Sequence, residues 1–423
     1  MNQDQLFKLT SNNNRQNEKI VVFGVGGGGG NALNHIIESN VQGVDFVAAN
    51  TDARALDMNQ APNKIILGEQ STRGLGAGAD PSKGANAAKE SLDRIKEYIT
   101  GADMLFVTAG MGGGTGTGAA PVIAGVAKDM GVLVVGVVTK PFHFEMGKRM
   151  RTAEGGIEDL KKNVDALLVV ENQRLLEMEN GMKMKIVDAY KKVDEVLRQA
   201  VQGVTDLITQ NGFVNLDFAD IKAILTGAGM AIMGMGEGEG EDRARKAAEG
   251  AIKSPLMNLA LTGATGILLN VSTGPEITLQ EMTEAASIIE ETADQDAQVI
   301  WGHVIDESLG EKVRVTLIAT FKEGSPNTQH MKTKQNDRPE PPQIQVTPQQ
   351  PPVQPPIQTT MQPPVQPPRG RTLYDIYRFK RGQQEGFEEA RLTSPNEDEN
   401  SAFPRSQRRL YDQPAIFRQN RKN

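Results

Sequence analysis

Short apolar runs alternate with longer amphipathic stretches along the first part of the chain. Each run is four to seven residues long and rich in Val, Ile and Leu, as buried strands are. The stretches between the runs have the length and spacing of helices. This alternation predicts an α/β fold with a Rossmann-like parallel sheet. The predicted strands are 19–23, 44–49, 64–67, 103–109, 133–138 and 166–170.

A different pattern begins at Ile186. From there to about Gln210, apolar side chains recur every three or four residues over a face wide enough to contact two bodies. We predict a long central helix that connects two domains. The elements after it come in blocks, which favours a second, α+β domain with a mixed sheet. They are predicted helices at 241–252 and 279–294, and predicted strands at 266–271, 298–304 and 313–320.

The composition changes abruptly after Phe321. Twelve of the 22 prolines lie between Pro339 and Pro368, interleaved with glutamine, which excludes a packed core and favours a polyproline II linker. From Arg405 the chain is strongly basic, with apolar residues interspersed. We therefore predict a disordered arm (1–18), a nucleotide-binding domain (19–185), the connecting helix (186–212), the second domain (213–322), a disordered linker (323–404) and a C-terminal peptide (405–423).

Composition also excludes several classes of function. The formal net charge of −7 argues against a general nucleic-acid binder. The chain has no cysteine, and its four histidines lack the spacing of a zinc site. The N-terminal stretch has no apolar signal core, and no apolar run is long enough to cross a membrane. We expect a cytoplasmic protein.

Two glycine-rich loops carry the candidate chemistry. Gly110 to Gly118 reads G-M-G-G-G-T-G-T-G, and a helix is expected after it from Ala119 to Met130, with Pro121 near its first turn. Gly24 to Asn31 reads G-V-G-G-G-G-G-N, before a helix expected from Ala32. Backbone N–H groups in such loops, together with the helix dipole, bind phosphate. The alternative, a flexible surface loop, would not be held between a buried strand and a helix.

The loop from Gly24 to Asn31, which comes first along the chain and is called the first loop below, also satisfies G-x-G-x-x-G at Gly24, Gly26 and Gly29. Acidic residues follow it at Asp45 and Asp52. That pattern is typical of dinucleotide binding, so a Rossmann-type oxidoreductase is an alternative function. The second glycine loop and the absence of a histidine cluster suited to hydride transfer argue against it. No G-x-x-x-x-G-K-[S/T] sequence occurs, which excludes a P-loop enzyme.

Several motifs in the right order resemble one family. The G-G-G-T-G-T-G at Gly112 to Gly118 looks like the tubulin-superfamily signature. Together with G-G-G-G-G-N at Gly26 to Asn31, P-F-x-F-E at Pro141 to Glu145 and N-x-D-x-x-D at Asn215 to Asp220, it closely resembles the FtsZ family of bacterial cell-division GTPases. The resemblance covers about residues 19–321 and the C-terminal peptide.

The resemblance implies a GTP/GDP site and assigns roles to individual residues. The glycines of the first loop would line the phosphate and guanine side, and those of the second would surround the β- and γ-phosphates. Glu145 would hold the ribose and Arg149 a phosphate, although a surface ion pair is the simpler interpretation. Tyr190, where the family favours Phe, would stack on the base. The implied GTP-binding residues are Gly27, Gly28, Gly29, Gly30, Asn31, Gly114, Thr115, Gly116, Glu145, Arg149, Asn172, Tyr190 and Asp194.

The carboxylates of the last motif would carry the hydrolysis. Asp217 and Asp220, with Asn215 beside them, could polarise a water and help to hold Mg²⁺, which is expected to be bound mainly by the nucleotide phosphates. Asp217 or Asp220 could also simply cap a helix starting near Ala219. The loop should lie at the far end of the connecting helix, away from the nucleotide.

The resemblance implies that this loop completes the GTP site of the next copy of the chain. A head-to-tail contact of this kind does not close and forms filaments. The implied function is a self-assembling GTPase of the cytoplasmic cell-division ring at mid-cell. A non-hydrolysing scaffold of the tubulin type is a further alternative, against which the intact Asp217 and Asp220 argue.

The C-terminal peptide resembles the docking peptide of the family. Its implied contact residues for division adaptor and regulator proteins are Asp412, Pro414, Ala415, Phe417 and Arg418. Membrane contact would then be indirect, through those adaptors, and no nucleic acid is expected as a partner. A solvated charged tail is the alternative. Residues 371–403 have no role in this interpretation.

Overall fold

The computed structural model describes residues 18–176, 184–210, 216–257 and 261–322, and all of these lie within one compact unit of the chain. The predicted linker, the C-terminal peptide and almost all of the N-terminal arm lie outside the described residues. So does Asn215. Of the helices in the described part, none is long and apolar enough to cross a membrane.

The first half alternates strands and helices as predicted. Its elements are β1 (Ile20–Val25), α1 (Gly26–Glu38), β2 (Val44–Asn50), α2 (Ala53–Asp57), β3 (Asn63–Ile66), α3 (Glu69–Thr72), α4 (Pro81–Glu90), α5 (Leu92–Ile99), β4 (Met104–Gly110), α6 (Thr115–Asp129), β5 (Leu133–Lys140), a 3₁₀ turn (His143–Glu145), α7 (Gly147–Lys161), β6 (Ala166–Glu171) and α8 (Asn172–Leu175).

The second half begins with the predicted long helix. Its elements are α9 (Ile186–Thr209), α10 (Phe218–Leu225), β7 (Gly229–Gly238), α11 (Arg243–Ile252), β8 (Gly266–Thr273), α12 (Leu279–Thr292), β9 (Gln298–Ile305), a 3₁₀ turn (Glu307–Leu309) and β10 (Val313–Phe321).

All ten described strands belong to one sheet, in the order β3-β2-β1-β4-β5-β6-β7-β10-β8-β9. The strands from β3 to β7 are parallel, and β10 runs antiparallel to both of its neighbours. The predicted α/β fold with a parallel first sheet and a mixed second one is confirmed. The sequence did not predict that the two sheets are continuous, through pairing of Ala166–Leu168 with Gly229–Ala231.

Both glycine-rich segments enter helices earlier than predicted. Helix α1 begins at Gly26 instead of Ala32, and α6 begins at Thr115 instead of Ala119, so Pro121 lies inside α6 and not in its first turn. Glycine disfavours helix, but here close packing requires it. A Cβ at Gly29 would overlap the carbonyl oxygen of Thr108 on β4.

Strand β7 was not predicted, because its glycines and methionines give no strand pattern. Alternate positions, Gly234, Gly236 and Gly238, face the backbone of α11. A Cβ at Gly236 would overlap the Ala247 carbonyl oxygen. The glycines therefore let a small-residue helix lie directly on the strand.

Helix α9 joins the core of both halves of the sheet. Its Val193 and Val204 belong to the same buried cluster as Leu168 of β6 and Leu268 of β8. The helix also carries buried polar residues at four-residue intervals. Arg198 binds Glu195 through two hydrogen bonds of 2.8 and 2.6 Å and also contacts Gln202.

One of these polar residues, Asp206, is only 6% exposed. Burial raises the pKa of its carboxyl group to about 6. Hydrogen bonds from Gln202 and Gln210 lower that pKa, and the negative charge of Asp306 raises it. The positive charge of Arg198 lowers that pKa only weakly. A charged Asp206 is therefore a cost to the folded state at neutral pH.

Replacing Gly236 by Ala should destabilise the protein by roughly 1–3 kcal/mol, the usual cost of overpacking. Urea-induced unfolding followed by circular dichroism measures it. Gly155→Ala is the matched control, since Gly155 is exposed on α7 and a Cβ there has nothing within 4 Å. That control should be neutral or stabilising by up to ~1 kcal/mol. Equal urea midpoints for Gly236→Ala and wild type would contradict the close packing of α11 on β7.

Replacing Asp206 by Asn should stabilise the protein at pH 8 by on the order of 2–3 kcal/mol, because the folded state no longer buries a charge. The folded carboxyl binds its proton more tightly than the unfolded one, so wild-type stability gains as pH falls through about 6. The advantage of Asn should therefore shrink toward pH 5. Unfolding free energies of both proteins at pH 8 and pH 5 test this, with Asp45→Asn, at an exposed position of β2, as control. If Asp206→Asn stabilises the protein equally at both pH values, ionisation of the Asp206 carboxyl group is not the source of the stability difference.

Candidate functional site

Two helix N-termini meet at the carboxyl edge of the sheet. Strands β1 and β4 are parallel neighbours, and Val25, the last residue of β1, pairs with Ala109. Helices α1 and α6 start directly beyond these ends. A Cβ on Gly26 would lie only 2.8 Å from the backbone nitrogen of Gly116. Unpaired N–H groups and two positive helix dipole ends therefore converge on one point.

The convergence point is open on its outer side. Gly27 is exposed, and a Cβ on Gly27 or Gly113 would meet nothing within 4 Å. A cavity of about 280 Å³ lies along the first turns of α1. Its lining includes Gly26, Gly27, Gly30, Asn31, Asn34 and Asn59. Bare backbone faces empty space here, as in a cradle for an anion.

Internal hydrogen bonds fix the shape of the second loop. The Gly112 N–H donates to Thr117 Oγ1 at 2.9 Å, and the Met111 N–H donates to the Thr139 carbonyl at 3.0 Å. Gly114 packs so closely on Ala77 and Asp80 that a Cβ would lie 2.8 Å from each of them. The segment at residues 77–80 thus supports the glycine loop.

A second group of predicted residues surrounds Glu145. Its carboxylate accepts the Phe142 N–H at 2.9 Å and pairs with Arg149 at 3.1 Å. The Tyr190 hydroxyl also donates to it, and burial followed by this negative neighbour raises the pKa of the Tyr190 hydroxyl. The Tyr190 ring lies edge-on to Phe142 with centroids 5.4 Å apart, and is 39% exposed. One face of an aromatic ring is therefore available.

Two further predicted residues are held in low-polarity surroundings. Asn172 is 4% exposed, and its side-chain oxygen has no hydrogen-bond partner among the described residues. Burial raises the pKa of the Asp194 carboxyl group to about 6, although the positive charge of His35 lowers it somewhat. The buried Asn172 oxygen without a partner and the half-buried Asp194 carboxylate both favour a ligand that supplies N–H donors.

Asp217 and Asp220 lie elsewhere. Both are exposed at the start of α10, where the Asp217 side chain caps the helix by accepting the Ala219 N–H at 3.4 Å. The capping role considered from sequence is thus present for Asp217. Helix α9 has 24 residues and separates these carboxylates from Tyr190 and Asp194 by most of its length, which is about 36 Å at 1.5 Å per residue. They are not brought to the glycine loops of the same chain.

In the described part of the chain, no group of three or more acidic or histidine side chains could hold a metal ion. A larger cleft of about 910 Å³ lies between α4, α6 and α7. Its charged lining residues carry both signs, and Lys162 pairs with Asp159 at 2.9 Å. The glycine loops remain the better candidate.

Sequence reasoning missed residues that follow β2. Thr51 is fully buried, and its hydroxyl lies 2.6 Å from that of Thr115. Asn59 donates to the Gly30 carbonyl at 2.8 Å and so fixes the second turn of α1. The available signal was the polar run Asn50-Thr51-Asp52 directly after a buried strand, at the edge where such sheets bind ligands.

Comparison with protein families matches both halves of the chain. The Tubulin/FtsZ family, GTPase domain, matches residues 19–180, and the FtsZ family, C-terminal domain, matches residues 229–322. The oxidoreductase alternative is not supported by these matches.

Comparison with solved structures gives the same family. An empty FtsZ dimer from M. jannaschii is 42% identical, with 76% of this chain and 92% of that chain covered and a TM-score of 0.71. CetZ1 from Haloferax volcanii, a GDP-bound monomer, is 23% identical over 74% and 98% of the two chains, with a TM-score of 0.64. CetZ2 from the same organism, a GTPγS-bound protofilament, is 20% identical over 75% and 97%, with a TM-score of 0.62.

The two CetZ proteins show the likeness of fold alone, whereas the two family matches cover residues 19–180 and 229–322, and the FtsZ structure covers 76% of this chain at 42% identity. The chain therefore belongs to the FtsZ family of the tubulin superfamily, the GTP-hydrolysing, filament-forming proteins of cell division.

Proposed function

We propose that this chain binds GTP at the N-termini of α1 and α6 and hydrolyses it only when a second copy supplies Asp217 and Asp220. The observation that carries the proposal is the separation of the two parts of the site by α9. Because one chain cannot bring them together, we place the contact head-to-tail, a geometry that does not close and so propagates into a filament.

The phosphates bind to backbone groups. Gly27 to Gly30 line one side, and Gly114, Thr115 and Gly116 surround the β- and γ-phosphates on the other. The first N–H groups of both helices have no intrahelical acceptors, and the dipoles favour negative charge there. The empty space beside Gly27 and Gly113, where a side chain would have intruded, supports this assignment.

The nucleoside binds between Asn31, Asn172 and the start of α9. Tyr190 offers its exposed ring face to the base, and the half-buried Asp194 carboxylate accepts guanine N–H groups. The unpartnered oxygen of Asn172 accepts a further donor. A ligand with several N–H groups along one edge fits this set, and guanine is such a ligand.

Glu145 and Arg149 bind the sugar and a phosphate. The Glu145 carboxylate has about four lone-pair positions, and its contacts with Phe142, Arg149 and Tyr190 use three of them. One position remains for a ribose hydroxyl. The Arg149 guanidinium has further N–H groups beyond its contact with Glu145, and it is half exposed, so it can reach a phosphate.

The magnesium ion fits this site only as a partner of the phosphates, since the described residues contain no acidic cluster around the glycine loops. Bound there, it would offset the negative charge that develops on the phosphates. The Thr115 hydroxyl of this chain, and Asp217 and Asp220 of the adjoining copy, would help to hold it.

The carboxylates of the adjoining copy act on the attacking water. Asp217 uses one oxygen to cap α10, whereas Asp220, one turn further, is exposed and has its own carboxylate free to orient and deprotonate a water. Asn215, outside the described residues, completes the loop. Assembly therefore switches on hydrolysis, and loss of the γ-phosphate weakens the contact that its presence favours.

The C-terminal tail docks the filament on division adaptors at mid-cell, so that membrane contact is indirect. The contact residues are Asp412, Pro414, Ala415, Phe417 and Arg418. The sequence supports recognition of the tail by a partner protein, because the pattern Arg-x-Leu-Tyr-Asp-x-x-x-[Phe/Ile]-x-Arg occurs twice. The copies lie at 371–381 and 408–418, and they align with each other without insertions or deletions. A merely charged tail would not repeat it. All of these residues lie outside the described part of the chain.

The decisive experiment measures phosphate release from GTP over a range of protein concentrations, with light scattering recorded on the same samples. A shared site requires the rate per molecule to rise above a threshold that coincides with the onset of scattering. A rate per molecule that is constant from the lowest concentration would mean that each chain hydrolyses GTP alone, and the roles of Asp217 and Asp220 would be withdrawn.

Replacing Asp220 by Ala should leave GTP binding and assembly intact and lower the hydrolysis rate by on the order of 10²–10⁴, the contribution of a general base. Fluorescent-nucleotide binding, sedimentation and phosphate release measure the three properties. Glu97→Ala is the control, because Glu97 is an exposed acid on α5, outside both glycine loops and α10, and it should change none of them. Loss of nucleotide binding in Asp220→Ala would place that carboxylate in the pocket of its own chain.

A further inference from the structure

The first residue after β2, Thr51, has an unusual position for a hydroxyl group. Its side chain and backbone are completely buried. Its Oγ1 lies 2.6 Å from Oγ1 of Thr115, the first residue of α6, and has no other hydrogen-bond partner among the described residues. The contact joins the loop after β2 to the helix N-terminus at the convergence point.

The surrounding chain fixes Thr51 from both sides. Its carbonyl accepts the Gly76 N–H at 3.0 Å. The next residue, Asp52, caps α2 by accepting the N–H groups of Arg54 and Ala55 at 3.0 and 3.2 Å. The Thr51 hydroxyl is therefore presented to Thr115 by a backbone that has little freedom to move.

Burial determines the direction of the hydrogen bond. Each threonine hydroxyl has one proton to donate and two lone pairs to accept with. If Thr115 donated, the Thr51 proton would be left buried without an acceptor, which is unfavourable. If Thr51 donates, its proton is used, and the proton of the half-buried Thr115 can point outward into the site.

We infer that Thr51 is a positioning residue for GTP: it donates its hydroxyl proton to Thr115 Oγ1 and thereby directs the Thr115 O–H at the nucleotide phosphates. The inference rests on the proposed function, in which Thr115 contacts the β- and γ-phosphates. Thr51 itself does not touch the nucleotide. Its effect is transmitted through one oxygen atom, and this makes it testable by a double-mutant cycle.

The experiment compares four proteins: wild type, Thr51→Val, Thr115→Val and the double variant. GTP dissociation constants are measured below the assembly threshold, and GTPase rates above it. Thr51→Val should weaken GTP binding roughly 2- to 10-fold, the effect of losing one hydrogen bond to the orienting hydroxyl. In the Thr115→Val background the same substitution should have no further effect, since the hydroxyl that it orients is gone.

Two controls separate positioning from folding. Thr51→Ser keeps the hydroxyl and should restore at least most of the GTP affinity lost in Thr51→Val. Thermal unfolding without nucleotide reports whether each variant is folded. A merely structural Thr51 would weaken binding by the same factor whether or not Thr115 carries a hydroxyl, and this result would overturn the inference. An unchanged GTP affinity in folded Thr51→Val would also overturn it.

The outcomes also distinguish this inference from the proposed function beneath it. If Thr115→Val binds GTP as tightly as wild type does, the Thr115 hydroxyl does not contact the phosphates and the positioning role falls, whereas the binding of the phosphates by backbone N–H groups stands. If Thr115→Val weakens binding and Thr51→Val does not, the phosphate site stands and only the role of Thr51 is lost.

Discussion

The close contact of two helix starts at the edge of the sheet controls the whole arrangement. A Cβ at Gly26 would lie 2.8 Å from the Gly116 nitrogen, and one at Gly29 would overlap the Thr108 carbonyl. Only glycine allows this approach, although each glycine inside a helix costs roughly 0.5–1 kcal/mol relative to alanine. The later turns of α1 offset that cost by burying Leu33 and Ile36 in the core. The later turns of α1 thus supply stability, and its first turn supplies exposed N–H groups.

The rigid placement of α9 turns this local geometry into a requirement for assembly. In its first half, Glu195 on α9 binds His35 on α1 at 3.0 Å. Near its end, the Gly203 carbonyl accepts a hydrogen bond from Asn270 of β8 at 3.2 Å. A helix fixed to both halves of a continuous sheet cannot bend to bring its two ends together. The separation of the glycine loops from Asp217 and Asp220 is therefore part of the fold of one chain.

The sequence predicts elements well where one face is uniformly apolar, as in β1, β4 and α9. It fails where glycine replaces the pattern. Close approach of another backbone segment determines where α1 and α6 start and where β7 forms. The distance between two backbone segments cannot be calculated from a single sequence. The site divides in the same way. The glycine loops are visible as motifs, whereas Thr51 acts through a contact across 64 residues of chain.

An assembly of this kind has two different ends. In the proposed filament each chain contributes one pocket and one carboxylate loop, so every internal contact holds a complete site. The terminal chain at one end has a pocket that no second copy covers, and the terminal chain at the other end has carboxylates with no nucleotide before them. GTP bound at the uncovered pocket lacks the groups that activate water, whereas GTP at every internal contact has them. The asymmetry follows from a contact that cannot close. Because hydrolysis occurs only at internal contacts, a subunit that has been internal for longer is more often bound to GDP.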